Sequence, residues 1–414
     1  MRAFFHLSCI LIAMIAAGCA SKGPLDEPLQ SVTKVGDPSF SGNIGVTLSG
    51  GFVPGNKIET LENGDQIFPA MLAAIRSAKR SVNFETFVFY GDQTGRMFTD
   101  VLIERARAGV PVRVIIDAVG GNKSLRYRAE MREAGVDVQV FHPLLKINPF
   151  RANHRTHRKL LIIDGHIGFI GGVGIGDEWS GNAQSPEHWH DLHYRVSGPV
   201  VLQLQSAFLD NWLKVRREIV QGPAFFPKTS PAGTLQAAAF SSSPIRSKYS
   251  SELMYHLCIA GAQKSILIEN PYFLPDKTLL NALCNAAQRG VKVQIMLPGK
   301  HIDQKNVQRA SRKRWKTLLH AGVKLYQYQP TMNHTKLVIV DGEFASIGST
   351  NLDPRSLRIN DEANINVMDR GFAHSQAEIF ARDLKKCQEV QLNAAGNIGD
   401  LPLQLATTPL ETQL

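Results

Sequence analysis

One pattern occurs twice in this chain and constrains its fold more than any other feature of the sequence. Each copy has the spacing H-x-K, four residues, D, six residues and G-[GS]-x-[GN], and the copies start 177 residues apart (334 − 157). The defining residues are His157, Lys159, Asp164, Gly172 and Gly174 in the first copy and His334, Lys336, Asp341, Ser349 and Asn351 in the second. Two copies in equal register predict two related halves that contribute equivalent groups to one site.

Each copy predicts a β-hairpin. An Asp-Gly pair, at 164–165 or 341–342, separates two apolar runs, which is a strong signal for a two-residue turn. With a turn that short, His334 would face Ser349 across the second hairpin. Side chains two residues apart share one face of a strand, so the histidine, the lysine and the residue at the Asn position should project together from one end of each hairpin.

Two such groups suit phosphoryl transfer. One imidazole can attack phosphorus and form a covalent intermediate, and the other can protonate the leaving alcohol and then deprotonate the incoming one. The lysines and the amide can neutralise charge on the phosphate oxygens, and the residues expected to bind substrate are Lys159, Lys336, Ser349 and Asn351. No residue spacing indicates a metal or a cofactor, so we expect metal-independent catalysis without a cofactor.

The aspartates of the motif have two interpretations. Asp164 and Asp341 belong to the pattern and count among the candidate catalytic residues, but their position at the turns favours a role in shaping the hairpins. A histidine that acts as a base needs an orienting partner, which must then come from elsewhere. Asp191 and Glu362, each on the segment after its hairpin, are the candidates for that role.

The chain resembles the phospholipase D superfamily, whose hallmark is this doubled H-x-K-x4-D pattern, and within it the bacterial cardiolipin synthases. Segments that carry the likeness include Asn63-Gly-Asp65, Trp189-His-Asp191, Pro271–Asp276 and Gly348–Ser356, within a region from about Lys57 to Ala373. The resemblance implies that His157 is the nucleophile, that His334 is the general acid and base, and that the active site lies between the halves. It implies a reaction that joins two phosphatidylglycerols into cardiolipin and releases glycerol.

One position departs from the family pattern. Members usually carry asparagine where this chain has Gly174, and glycine has no side chain to bond a phosphate oxygen. Loss of one such donor costs about 2.7–4 kcal/mol of transition-state stabilisation. Besides the phosphatidyltransferase, three functions stay open. The same residues would serve a phospholipase D that transfers to water, the charge favours a secreted nuclease, and Gly174 suggests a catalytically weak lipid-binding protein.

The N-terminus predicts export. Arg2 precedes an apolar stretch over 3–17, which is too short for a comfortable bilayer span and is typical of a signal peptide. The sequence Ala-Ala-Gly-Cys that ends at Cys19 is similar to a lipoprotein processing site. We expect a signal peptide over 1–18, acylation of Cys19, and a lipid-anchored tether over 19–56 on the periplasmic side, with the outer membrane favoured over the inner. An uncleaved membrane anchor is the alternative.

The charge favours an anionic partner. The 414 residues include 46 Lys and Arg against 36 Asp and Glu, a formal net charge of +10, which suits phosphatidylglycerol, other anionic phospholipids and a membrane surface as well as nucleic acid. The synthase-like segments disfavour nucleic acid. The basic run 305–316 is either a solvated helix face or a surface for headgroups or nucleic acid, with Trp315 at the interface. Leu144–Phe150 either dips into a membrane or packs as a loop.

Repeated segments predict the domain organisation. Gly109-Val-Pro-Val is echoed by Gly290-Val-Lys-Val, and strand-like and helix-like runs alternate in both halves. This pattern predicts an α/β fold with two pseudo-symmetric halves, each a mixed sheet flanked by helices. The expected boundaries are a first domain over 57–220, a linker over 221–247, a second domain over 248–392 and a polar tail over 393–414.

For several other side chains the sequence allows more than one environment. Glu85 and Glu269 stand in otherwise apolar strands and either line the cleft or face solvent at an edge. Cys258 and Cys284 are more consistent with buried free thiols than with a disulfide. His154 is expected at the surface or at the rim of the substrate site.

Three further histidines lie close together in sequence. His188 and His190 would share one face of a strand, whereas His193 would not. Three metal ligands would need a bent segment, so we do not expect these histidines to bind a metal ion.

Overall fold

The computed structural model describes residues 25, 29, 32–48, 50–143, 153–244 and 249–392. The expected signal peptide, Cys19, the segment Leu144–Phe150 and the polar tail lie outside these residues. Within the described ranges, every helix is too short or too polar to span a bilayer.

The N-terminal part of the described chain alternates strands and helices, as its sequence predicts. Its strands are β1 (Val53–Glu62), β2 (Val82–Thr86), β3 (Val112–Asp117), β4 (Asp137–Phe141), β5 (Leu160–Ile163), β6 (Ile167–Gly171) and β7 (Leu192–Ser197). Its helices are α1 (Phe40–Thr47), α2 (Asn63–Ser77), α3 (Gln93–Arg107), α4 (Leu125–Glu133) and α5 (Val201–Arg216). Helix α2 has an apolar stripe at helical spacing, and its residues Ile67, Met71, Leu72 and Ile75 are buried.

The C-terminal part repeats this alternation. Its strands are β8 (Leu235–Ser242), β9 (Ser265–Glu269), β10 (Lys292–Pro298), β11 (Lys324–Tyr328), β12 (Leu337–Val340), β13 (Phe344–Gly348), β14 (Glu362–Met368) and β15 (Cys387–Glu389). Its helices are α6 (Ser250–Gly261), α7 (Lys277–Gln288), α8 (Lys305–His320), α9 (Pro354–Arg358) and α10 (Arg370–Leu384). Cys258 and Cys284 are buried free thiols, as expected.

These strands form one mixed sheet that runs through both halves. Its order is β15-β11-β10-β9-β12-β13-β14-β8-β1-β7-β6-β5-β2-β3-β4. Strands β2, β3 and β4 are parallel, as are β9, β10 and β11, and antiparallel strands join each set to the centre. The order outward from β1 mirrors the order outward from β8, which confirms the predicted α/β fold with two pseudo-symmetric halves.

The expected tether and the expected linker both contain regular secondary structure. Helix α1 lies within the expected tether 19–56, and strand β1 begins inside it at Val53 and continues to Glu62. Phe40 of α1 packs edge-on against Phe344 with ring centroids 6.0 Å apart. Strand β8 lies within the expected linker 221–247. Both strands contain glycine, proline, alanine or serine, which have low β propensity, and their pairing at the centre of the sheet overrides that propensity.

The motif hairpins close through three-residue loops instead of two-residue turns. Val340 pairs with Phe344, which leaves residues 341–343 as the loop, and the first hairpin has an equivalent loop. In both loops the aspartate and the glycine have left-handed φ angles of 55° and 68°. The third loop residue shifts the pairing by one position, so His334 does not lie opposite Ser349 as the sequence predicted.

The loop aspartates attach each hairpin to the start of a neighbouring strand. The carboxylate of Asp164 accepts hydrogen bonds of 2.7–3.2 Å from the backbone N–H groups of residues 79–81. Asp341 does the same for residues 263–265 at 2.6–2.9 Å. Roughly 20 Å of extended chain separates each aspartate from the histidine of its hairpin. This placement supports the interpretation that these aspartates shape the hairpins, and the variants below test whether they also act in catalysis.

Removing a loop aspartate should reduce stability without removing activity. For Asp164→Ala or Asp341→Ala we expect a loss of about 2–4 kcal/mol in the free energy of unfolding, because three backbone donors lose a charged acceptor. Denaturant unfolding measures this loss. Asp100→Ala is the matched control, because its 64% exposed side chain forms only a surface ion pair with Arg96. A loss of activity per folded molecule would show that the loop aspartates also contribute to catalysis.

Candidate active site

The two H-x-K segments meet between the halves. His157 and His334 each precede a strand, β5 or β12, by three residues. Burial holds the pKa of His334 well below its usual value, and the charges of Lys336, Lys159 and His157 lower it further. Groups from both copies of the motif therefore interact electrostatically.

Each histidine is held by a carboxylate from the opposite half. Nδ1 of His157 lies 2.9 and 3.0 Å from the two carboxylate oxygens of Glu362. Nδ1 of His334 lies 2.8 Å from Oδ2 of Asp191. This pairing favours the tautomer in which Nδ1 donates to the carboxylate and Nε2 is left to attack or to accept a proton. The sequence identified both carboxylates but not their crosswise pairing.

Backbone hydrogen bonds fix the same crosswise pairing. The N–H of His157 donates to the carbonyl oxygen of Asp361 at 2.8 Å, and the N–H of His334 donates to that of His190 at 2.7 Å. These acceptors immediately precede the two orienting carboxylates. Isolated parallel β-bridges pair the residue before each histidine with the same acceptor residue, Thr156 with Asp361 and Asn333 with His190. Each histidine and its carboxylate are therefore held by side chain and main chain together.

Each orienting carboxylate accepts one further side-chain hydrogen bond. The hydroxyl of Ser349 donates to Oε2 of Glu362 at 2.5 Å. The indole N–H of Trp179 donates to Oδ2 of Asp191 at 3.1 Å. Ser349, which the sequence predicted to bind substrate, is therefore engaged in holding Glu362.

The lysines and the Asn351 amide supply the groups suited to a phosphate. Nζ of Lys159 donates to the carbonyl oxygen of His157 at 2.8 Å, and Nζ of Lys336 lies 3.1 Å from Nε2 of His334. The side-chain oxygen of Asn351 is buried and has no hydrogen-bond partner among the described residues. An amide oxygen only accepts hydrogen bonds, so the group of Asn351 that could donate to a phosphate oxygen is its N–H₂. Two cations beside two imidazoles can bind an anionic diester and stabilise its transition state.

Comparisons with known proteins agree with this geometry. Residues 71–185 and 256–384 match the family model described as cardiolipin synthase, PLD-like domain. A cardiolipin synthase A from Pseudomonas fluorescens strain Pf-5 is 35% identical over 337 residues, which cover 81% of this chain and 70% of that relative. The chain belongs to this PLD-like family.

Other relatives of this PLD-like chain extend the comparison. Cardiolipin synthase 2 from Bacillus anthracis is 37% identical over 340 residues, which cover 81% of this chain but 66% of the relative, just under two thirds of its length. The crystal structure of a phosphatidylserine synthase from Haemophilus influenzae has the same fold. Its TM-score is 0.64 at 15% identity, and the alignment covers 84% of this chain and 92% of that one.

Position 174 of this PLD-like chain is filled by a neighbouring ring. A Cβ atom on Gly174 would lie 2.8 Å from Cβ of Val88 and 2.9 Å from Cζ3 of Trp179, closer than packed carbon atoms approach. The asparagine that the family usually carries there does not fit beside this tryptophan. The second half alone therefore supplies a side-chain amide at this position of the motif.

Aromatic rings pack around both imidazoles. The ring of Phe87 packs edge-on against His157 with centroids 5.5 Å apart. Around the ring of His334, at centroid distances of 5.4–5.9 Å, lie Trp179, Trp189 and Tyr272. These rings remove solvent from the imidazoles, which strengthens the electrostatic interactions between the charged groups.

Two buried glutamates support the catalytic segments, and the sequence did not assign them this role. Glu85 accepts a hydrogen bond from the hydroxyl of Thr156 at 2.5 Å, and Glu269 accepts one from the amide of Asn333 at 2.5 Å. These two donors immediately precede the two histidines. Both glutamates are fully buried, so the solvent-facing interpretation is wrong, and burial raises the pKa of each to about 7. The signal in the sequence that could have identified this role is that a glutamate recurs at equivalent positions of two otherwise apolar strands.

The three neighbouring histidines do not converge. His190 lies in a buried group with Glu269 and Asp383, whose polar atoms are within 4.8 Å of one another. Both ring nitrogens of His190 already have partners, Nε2 in Asp383 at 3.0 Å and Nδ1 in an amide oxygen at 2.9 Å. His188 and His193 are not in this group, so the described residues do not bring all three histidines to one metal ion.

Two side chains expected at the surface are buried. Nε2 of His154 lies 2.7 Å from Oδ1 of Asp361, beneath the first catalytic segment. Trp315 on α8 is 3% exposed and donates its indole N–H to the hydroxyl of Ser311 at 3.0 Å. The surface placement of both side chains is wrong, because polarity and a basic flank do not reveal which face of a segment packs inward. The alternative that His154 lies at the rim of the substrate site stays a prediction.

The charges of the site predict a bell-shaped pH dependence of kcat/KM. Burial raises the pKa of Asp191 to about 6, so the carboxylate that orients His334 is lost as the pH falls through that value. Burial lowers the pKa of Lys159 to about 7 and that of Lys336 to about 8, so their positive charges are lost as the pH rises. Initial rates at subsaturating substrate should peak between about pH 6 and pH 7, because Lys159 loses its charge before Lys336 does. A flat profile across that range would contradict these roles.

Proposed function

We propose that this protein is a phosphatidyltransferase that joins two phosphatidylglycerol molecules into cardiolipin and releases glycerol. The observation that carries the proposal is the crosswise pair of imidazoles, His157 held by Glu362 and His334 held by Asp191. One diester between them would meet a nucleophile and an acid or base. Relatives named cardiolipin synthases support phospholipids as the substrate class.

The proposed first step forms a phosphohistidine. Nε2 of His157, which the family likeness favours as the nucleophile, attacks phosphorus of the first phosphatidylglycerol. The negative charge of the bound diester raises the pKa of the adjacent His334 and so favours its protonated form. The bond from phosphorus to the headgroup glycerol oxygen breaks, and His334 transfers its proton to that oxygen. Lys159, Lys336 and the amide of Asn351 stabilise the charge on the remaining phosphate oxygens.

The proposed second step transfers the phosphatidyl group. His334, now neutral, takes a proton from a headgroup hydroxyl of the second phosphatidylglycerol. The resulting oxygen attacks phosphorus, the bond from phosphorus to Nε2 of His157 breaks, and cardiolipin forms. Because the same groups act in both steps, water in place of the second lipid would give phosphatidic acid, and only the acceptor decides between transfer and hydrolysis.

Product analysis tests this proposal. The purified full-length protein is incubated with phosphatidylglycerol in detergent micelles, and the lipids are identified by mass spectrometry. We expect cardiolipin and free glycerol in equal amounts, and neither product from His157→Ala. Phosphatidic acid in place of cardiolipin would identify a phospholipase D. If neither lipid forms, the transferase proposal is wrong, and degradation of DNA by the same sample would identify a nuclease.

We also propose that the enzyme acts at a membrane surface to which lipid on Cys19 attaches it, on the periplasmic side of the envelope. The apolar N-terminal stretch that ends in Gly18 and Cys19 supports this location, and the net charge of +10 suits an anionic lipid surface. Mass spectrometry of the mature N-terminus tests it, because an unmodified Cys19 would rule out the anchor.

A further inference from the structure

The part of the site that the N-terminal half contributes, with Gly172, Gly174 and Asp191, is called the first half-site. Trp179 occupies the space beside Gly174 in it. The closest atoms to a Cβ on Gly174 include Cζ3 and Cη2 of the Trp179 indole, at 2.9 and 3.0 Å. The same indole donates its N–H to Oδ2 of Asp191, the oxygen that also contacts Nδ1 of His334. Its ring also lies edge-on to that imidazole, with centroids 5.5 Å apart. The Trp179 side chain thus contacts the position where the amide is missing, the carboxylate of Asp191 and the ring of His334.

The equivalent position in the second half is built differently. There the hydroxyl of Ser349 donates to Glu362. In the first half Gly172 takes the place of the serine, and a Cβ on it would lie 2.3 Å from Oδ1 of Asp191. No hydroxyl can therefore stand beside Asp191, and the indole N–H of Trp179 fills that role from another segment of the chain.

We propose that Trp179 is the positioning residue of the first half-site, and that its ring replaces the side chains missing from both Gly172 and Gly174. By holding the carboxylate of Asp191, it keeps His334 in the tautomer and orientation needed for proton transfer. The inference rests on the two-histidine chemistry proposed above. It also accounts for Gly174 as one part of a coupled pair with Trp179, so the glycine is not simply the loss of a phosphate ligand.

A substitution that keeps a ring but removes the N–H tests the hydrogen bond. For Trp179→Phe we expect about a tenfold decrease in kcat/KM, and the acidic limb of the pH profile should move to higher pH. The reason is that the carboxylate of Asp191 loses a donor that stabilises its charged form. Trp212→Phe is the matched control, because it removes an indole N–H that donates to Glu218 at 3.0 Å outside the site. The control should leave the acidic limb in place.

A double-mutant cycle tests the coupling between positions 174 and 179. Gly174→Asn alone should lose about a hundredfold in kcat/KM or more, because the new side chain displaces the indole. Adding Trp179→Phe should recover part of that loss, because the smaller ring removes the contacts with Cζ3 and Cη2 of the indole, whereas the contact with Cβ of Val88 at 2.8 Å remains. The two effects would then be non-additive. Additive effects, or an unchanged acidic limb in Trp179→Phe, would overturn the proposal.

The choice of substrate separates this inference from the proposed function. Every variant is assayed with phosphatidylglycerol and with bis(4-nitrophenyl) phosphate, a soluble diester that needs no lipid acceptor. If wild-type protein cleaves the soluble diester and the variants behave as expected, the role of Trp179 holds even where no cardiolipin forms. If wild-type protein cleaves neither substrate, the catalytic premise fails and the role of Trp179 fails with it.

Discussion

Replacement of either catalytic histidine by alanine is expected to lower kcat/KM by about 10⁴-fold or more. His157→Ala removes the proposed nucleophile, and His334→Ala removes the group that transfers protons in both steps. The double variant should be scarcely worse than either single variant, because residues that act as a unit are not additive. Conversion of phosphatidylglycerol measures the loss, and thermal unfolding checks that the fold persists. Near-normal turnover in one variant would remove that histidine from its role.

An activated diester separates the two roles. Nitrophenolate leaves without a proton, so His334→Ala should still form the covalent intermediate on His157 but resolve it slowly. His157→Ala should form no intermediate at all. Rapid quenching followed by peptide mass spectrometry locates the adduct. An adduct on His334 in the wild-type protein would exchange the two proposed roles.

The sequence predicted the candidate reacting groups because the doubled motif encodes them locally. The pairs His157 with Lys159 and His334 with Lys336 each come from one short segment whose spacing fixes their relative direction. The crosswise pairing was not predictable in this way. Glu362 lies 205 residues beyond the histidine that it holds, and their contact depends on the two halves docking. Local patterns report which residues are available, whereas docking decides which of them meet.

The remaining differences have the same origin. Strand β8 has an alanine- and serine-rich sequence that no propensity would place in a sheet, and its partner β14 decides its conformation. Glu85 and Glu269 were visible as charges in apolar strands, but only the fold shows that they hold the residues before the histidines. The absence of an amide at Gly174 was visible too, whereas the indole of Trp179 above it was not.

Neutralising the orienting carboxylates should show the crosswise arrangement in the kinetics. We expect Glu362→Gln and Asp191→Asn each to lower kcat/KM by about 10²–10⁴-fold, because an amide no longer fixes the reactive tautomer of its histidine. Glu343→Gln is the matched control, since Glu343 pairs with Arg370 at 3.0 Å, away from the site. The control should keep wild-type activity.

The two carboxylate variants should fail at different steps. Glu362→Gln lies in the second half but should reproduce the defect of His157→Ala, with little covalent intermediate even from the activated diester. Asp191→Asn lies in the first half but should reproduce the defect of His334→Ala, with an intermediate that forms and then persists. The opposite assignment of defects would mean that each carboxylate serves the histidine of its own half. The contacts of 2.9 Å from His157 to Glu362 and 2.8 Å from His334 to Asp191 would then not describe the working enzyme.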